Sequence, residues 1–329
     1  MPSLVGSEMC IRDRPHQPMF NPKRFHDLYP LDKLDLPQAP LEDLDDIPYR
    51  AKQLALYPRT SGRHKTVVKF GQWKNAVASY LASVSFVDAL IGDLVKALVQ
   101  YGLMKNTWVV LWSDHGWHLG EKSHWGKATG WYRSTRVPFL IVPPEGQDRF
   151  KKSIDIKNTV NLLDIAPTLA DMADIPKKTE WEGRSLMPIL NDELKDWEEV
   201  TLTTFSIGSH TVSTPNWQLI SYFDGTFELY DLNNDLGQFN NLANKSESAE
   251  VIDRLKAYIP DEPNWNYFIR YGDYKIIVSK KGNIQVFNQM LEGRNDEDIS
   301  EEVPELVEKI TTYINLKKPK EKKFSITSI

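Results

Sequence analysis

The chain has 329 residues, 41% of them apolar and 11% aromatic, enough for one sizeable core and a smaller second unit. A net charge of -5 argues against a nucleic-acid partner, so a polyanionic ligand has to be met by local Lys, Arg or metal. A single cysteine excludes an internal disulfide framework, and no apolar run approaches the roughly 18 residues of a membrane-spanning helix.

Residues 1–14, MPSLVGSEMCIRDR, show no periodicity, no helix cap and no signal-peptide h-region, and they read as an unrelated leader. Pro15 to Pro22 follows, with His16 set among prolines. Leu28 to Pro58 carries five prolines and the acidic run Glu42 to Asp46, which predicts an irregular surface crossing. From Trp73 the pattern changes. Trp73, Val77, Tyr80, Leu81, Val84, Ile91, Leu94, Val95 and Leu98 recur at helical spacing and predict a helix of about seven turns that ends at Gly102. Asp88 falls on its apolar face and reads as a structural acceptor.

Trp108 to Trp112 is an apolar run without alternation, as in a strand buried on both faces of a parallel sheet. Asp114 and His115 stand just past its carboxyl end, where open α/β sheets place their ligands. A second apolar strand, Phe139 to Val142, follows a polar loop rich in His, Trp and basic residues. That composition exceeds what a connector needs. Further on, Thr159 to Met172 predicts a helix broken near Pro167, Asp164 reads as a cap or turn residue, and Glu182 to Leu186 as a turn into a short helix.

The last third alternates between strands and turns. Trp217 to Asp231 predicts a hairpin about Asp224-Gly225, and Tyr274 to Asn288 repeats it with an offset of 57 residues, so the two are expected to form one antiparallel sheet. Glu247 to Tyr258 and Val303 to Ile314 read as amphipathic helices. The tail KKPKEKKFSITSI reads as solvated. The expected division is an α/β domain over 15–195 and a subdomain over 196–329.

SDHGWHLGEKSHWGK, followed by STRVP, resembles the second signature block of the sulfatase family, and its Trp and His after DHG are most similar to the iduronate-2-sulfatase-like branch. PHQPMFNPKRF, YLASVSFVDALIGDL, LLDIAPTLADMADIP, EGRSLMPIL and ELYDLNNDLGQFNNLA resemble further blocks of the family in its order. The resemblance implies an alkaline-phosphatase-like α/β fold: a mostly parallel or mixed central sheet flanked by helices, with a smaller C-terminal antiparallel sheet plus helix. It implies hydrolysis of sulfate esters on sulfated glycans in a periplasmic, extracellular or lysosome-like compartment. Asp114 and His115 are then expected to ligate a calcium ion, Lys127 to grip the sulfate, and His16 to contact it near the leaving oxygen. Trp117, His118, His124 and Arg136 are candidates for the sugar or carboxylate pocket. By ligand softness alone, His115 suits zinc or manganese better than calcium.

The family nucleophile is a formylglycine made from the Cys of C-x-P-S-R or C-x-A-S-R. Cys10 to Arg14 repeats the Cys-to-Arg spacing, but Arg12 stands where Pro or Ala is required and the segment abuts His16. No nucleophile is therefore assigned in this chain, which is expected to be an N-terminally truncated fragment, inactive alone. Two alternatives are a phosphatase or phosphonate hydrolase of the same superfamily and a non-catalytic sulfoglycan-binding protein.

Overall fold

A computed structural model describes residues 15–56, 64–147, 155–191, 197, 199–206, 208–260, 267–271, 273–278, 283–288 and 298–317. Cys10 and the rest of the expected leader lie outside the described residues. Two compact units part between Ile259 and Pro260.

The first unit opens with helix α1 (Lys23–His26), which buries Phe25. The proline-rich crossing is more ordered than its composition suggests. It holds a 3-10 turn, Leu41–Leu44, and helix α2 (Tyr49–Leu56), whose Ala51, Leu54 and Ala55 are buried. After α3 (His64–Lys69) comes the long helix α4 (Trp73–Gln100). It stops where expected, because Gly102 takes φ 68, the left-handed turn that a residue lacking Cβ adopts at no steric cost. Its apolar stripe is buried mainly toward the N-terminus, at Val77, Ala78 and Ala82. Asp88 is exposed and is therefore not a buried acceptor. No helix among the described residues is long and apolar enough to cross a membrane.

Strand β1 (Val109–Trp112) is followed by the short strands β2 (His118–Leu119) and β3 (Trp125–Gly126), helix α5 (Tyr132–Thr135) and strand β4 (Phe139–Val142). β1 and β4 pair antiparallel, Val109 opposite Val142 and Trp112 opposite Phe139. Every pairing among the described residues is antiparallel. The apolar run is not buried on both faces, since Trp112 is 46% and Leu140 50% exposed. An unbroken apolar run records which residues shun water, and it is silent on strand direction.

Helix α6 (Ile165–Met172) begins later than its sequence pattern suggests, behind a 3-10 turn, Leu162–Asp164. Pro167 thus falls in the first helical turn, where its missing N–H costs nothing. Asp164 is the expected turn residue, accepting from the backbone N–H of Asn161 at 2.8 Å and of Arg184 at 2.7 Å. The short helix α7 (Met187–Leu190) follows.

Strands β5 (Thr201–Ser206), β6 (Ser209–Ser213), β7 (Trp217–Ser221) and β8 (Phe227–Asp231) form a four-stranded antiparallel meander. Successive side chains point to opposite faces. Val212, Leu219 and Leu229 pack on Ile252 and Leu255 of helix α8 (Ala249–Lys256), and Ile220, Tyr222 and Tyr230 pack on Trp131 and on Ala51, Leu54 and Ala55 of α2. A sheet covered on both faces cannot leave the first unit, so the division expected near residue 195 is not where the compact units part.

The second unit holds β9 (Tyr267–Tyr271), β10 (Tyr274–Val278) and β11 (Ile284–Asn288) in the order β11-β10-β9, with helix α9 (Pro304–Lys317). Its core is Ile276, Val278, Val286, Ile299 and Ile310. The repeated hairpin is present in register: Trp217 pairs with Asp231 as Tyr274 pairs with Asn288. The two hairpins do not join, however, because each belongs to a sheet of its own.

Polar contacts fix the meander to the loop between β3 and β4. Glu228, fully buried on β8, accepts from Trp131 Nε1 at 2.9 Å and from the hydroxyls of Tyr222 and Tyr230. Burial raises its carboxyl above the usual carboxylate range, although the three donors and the Lys122 ammonium oppose that rise. A carboxyl that binds its proton more tightly when folded lends stability below its unfolded pKa and loses it as pH rises through the folded value. Glu228→Gln is expected to lower stability at neutral pH by about 1–3 kcal/mol, because one of the two oxygens that accept from three buried donors becomes an amide NH2. It should also remove this group's loss of stability from the carboxylate range upward. Urea unfolding of both proteins across that pH range checks both statements.

Candidate active site

The chain leaves β1 at Trp112 and turns at once. Ser113 Oγ donates to the His115 carbonyl at 2.9 Å, and the Gly116 N–H donates to the Ser134 carbonyl at 2.8 Å. A Cβ on Gly116 would stand 1.9 Å from the Arg133 carbonyl oxygen, so only glycine lets this turn lie against α5. The turn presents Asp114, whose side chain is 73% exposed, and His115. His115 Nδ1 donates to the Gly116 carbonyl at 2.9 Å, which leaves Nε2 as the acceptor for the Lys127 ammonium at 2.8 Å. Asp114 Oδ2 lies 3.5 Å from the same Nε2.

His16 closes the group from the N-terminal side. Its Nδ1 donates to the Gln17 carbonyl, and its ring stands edge-on to Trp117 at 5.2 Å and 6.2 Å from His115. Asp114, His115, Lys127 and His16, separated by up to 111 positions, therefore converge past the carboxyl end of β1. Asp114, His115, Lys127, Thr129, Tyr132 and Arg136 border a groove of about 2110 Å³. Small-ligand sites are roughly 300–1,000 Å³, so the groove has room for more than one sulfate group.

The four residues expected to line a sugar pocket divide. Arg136 is exposed on the groove, its guanidinium 5.4 Å from the Tyr132 ring. Trp117 is buried between His16 and Tyr80 and lies outside the groove lining. His118 and His124 are corrected to interior residues, 1% and 3% exposed. His118 Nδ1 donates to the Glu121 carbonyl at 3.3 Å and Nε2 accepts from Thr129 at 3.1 Å, while His124 spends both nitrogens on backbone carbonyls. Burial, then repulsion from His124, holds His118 well below the usual imidazole range. A clustered histidine reads alike in sequence whether it meets a ligand or a carbonyl.

Two residues of the site's support escaped the sequence reading. Lys122 is 2% exposed and pairs with Asp43 Oδ1 at 2.6 Å, while also donating to the Gln238 carbonyl. It takes φ 55 and Ser123 takes φ 51, which turns the chain back on itself between β2 and β3. Asp43 sits in the acidic run expected at the surface. The only signal available was that Leu41, Leu44 and Ile47 flank it at helical spacing.

The chain is similar to known proteins. The family model described as "Sulfatase" matches residues 10–175, half of the chain. The chain belongs to the sulfatase family. A model for the C-terminal region of N-sulphoglucosamine sulphohydrolase matches residues 120–263 of this sulfatase chain. A sulfatase of Formosa agariphila is 34% identical over 279 residues, covering 82% of this chain and 53% of the relative. A structure solved with its substrate D-glucosamine-2-N,6-O-disulfate superposes with a TM-score of 0.57 at 20% identity, over 75% of this chain and 62% of that one. A phosphonate monoester hydrolase of Silicibacter pomeroyi gives 0.63 at 20% identity, over 84% and 59%. These structures share the α/β fold with the sulfatase chain. The chain spans about half the length of the curated relatives it matches.

Calcium takes six to eight oxygen ligands. Asp114 and His115 offer one carboxylate and one imidazole nitrogen, and among the described residues no three His, Cys, Asp or Glu side chains converge on one point. The residues present do not by themselves fit the ion, and no chemical step is assigned to it. Calorimetric titration of the sulfatase chain with calcium is expected to give a Kd on the order of 10⁻³ M or weaker, lost in Asp114→Asn. Micromolar binding would show that further donors reach Asp114.

Proposed function

We propose that this sulfatase chain carries the sulfate-recognition part of a sulfuric ester hydrolase for sulfated glycans, iduronate-2-sulfatase-like, working outside the cytoplasm. Lys127 places its ammonium on a sulfate oxygen, where charge shifts during S–O cleavage. His16 stands by the leaving oxygen as proton donor, and Arg136 meets a carboxylate or second sulfate of the sugar along the groove. Asp114 and His115 supply part of a metal shell for calcium. The nucleophile, a formylglycine, comes from outside these 329 residues, whose single cysteine lacks the required motif. The observation that carries the proposal is the convergence of His16, His115 and Lys127 beside a groove wider than one sulfate.

The fold likeness to phosphonate monoester hydrolases keeps one competitor in view, and substrate choice separates the two. A longer form that includes C-x-P-S-R or C-x-A-S-R, co-expressed with a formylglycine-generating enzyme, is expected to release sulfate from sulfated disaccharides. Lys127→Met should reduce that rate by about 10²–10³, the usual effect of removing one charge-stabilising donor. The 329-residue chain is expected to release none. Faster cleavage of a phosphonate monoester than of every sulfate ester tried would move the protein to the competing class.

A further inference from the structure

The His124 ring is buried, and its two nitrogens meet two acceptors. Nδ1 lies 2.9 Å from the Ala55 carbonyl oxygen and Nε2 lies 3.0 Å from the Lys127 carbonyl oxygen. A carbonyl only accepts, so each contact is a hydrogen bond only if that nitrogen carries a proton, and a neutral imidazole has one N–H. We infer that His124 is an imidazolium whose two N–H groups pin the Lys127 backbone to the end of α2, making it a positioning residue for the Lys127 ammonium.

The surroundings suit a cation there. Ala55 is the penultimate residue of α2, so its carbonyl is among those that the helix leaves unpaired and lies at the negative end of the helix dipole. His118, with ring centroid 5.3 Å away, has one N–H donor and one acceptor nitrogen and is neutral. Lys122 is matched by Asp43, Arg133 by Glu121 at 3.2 Å, and the Lys127 ammonium is turned to His115.

Lys127 needs such a hold. Gly126 takes φ 96 and Ala128 φ 68, so the backbone on either side lies in the left-handed region, which for alanine persists only where neighbouring contacts over-determine it. The clamp supplies such contacts at the carbonyl between them. If the second proton is lost, one of the two carbonyls is released and Lys127 loses its fixed place beside His115. The use of this device in catalysis rests on the role proposed for Lys127, but its existence does not.

The test needs no sulfate ester. Long-range 1H–15N spectra of the ¹⁵N-labelled 329-residue chain at neutral pH are expected to show both His124 nitrogens protonated and His118 with one protonated and one bare. A neutral His124 overturns the inference. Acetylation of Lys127, followed by mass spectrometry, should accelerate on the order of tenfold in His124→Gln, the scale of one charge-assisted hydrogen bond. It should stay unchanged in His118→Gln, an equally buried neighbour without a contact to Lys127. Equal acceleration in both variants would reduce the effect to general loosening and overturn the positioning role. If either variant fails to fold, a pH titration of the wild-type chain decides, because Lys127 acetylation corrected for free lysine must rise together with loss of the second His124 proton.

Discussion

A charged network buried under the site loop holds this fold in its functional shape. Lys122 reaches inward to Asp43 and to the Gln238 carbonyl and lies 5.4 Å from the Tyr230 ring, while Trp131, from the same loop, donates to Glu228 on β8. Charges removed from water are tolerable only when they are paired and hydrogen-bonded. The loop, the 3-10 turn at residues 41–44 and the meander therefore satisfy one another. Displacing the loop or the 3-10 turn separates Lys122 from Asp43, and displacing the meander takes Glu228 from its Trp131 donor.

The network sits behind the site, and its effect is geometric. Lys122 fixes the reversal between β2 and β3, and Trp73 and Trp125 bind the same segment from the other side through Leu119 and His64, at 2.7 and 2.9 Å. Gln238 accepts from the Tyr132 N–H at 2.7 Å and sets the start of α5. The loop that carries Lys127 is thus held at several points along its length.

Much of this was legible in advance, and what was missed has a common cause. Gly102 marked the helix end, Asp224-Gly225 marked the hairpin, and the DHG turn past an apolar strand marked where His16, His115 and Lys127 meet, because each depends on local backbone chemistry. The placement of Asp43 and Glu228 was not legible. In sequence they are polar residues in an acidic run or alternating along a strand, the pattern of a solvated face. Each is buried only because a partner distant in sequence meets it. The same blindness assigned the meander to a separate domain and put His118 and His124 in the pocket.

The two hairpins that share a register offer a view of ancestry. Leu219 and Leu229 in the first correspond to Ile276 and Val286 in the second, and all four are fully buried. Glu228 and Tyr230 correspond to Gln285 and Phe287, so the second copy lacks the carboxylate and one of its hydroxyl donors. If a duplication produced the pair, the apolar side was retained as generic packing and the polar side diverged. In the first copy that polar side holds Trp131 of the loop between β3 and β4.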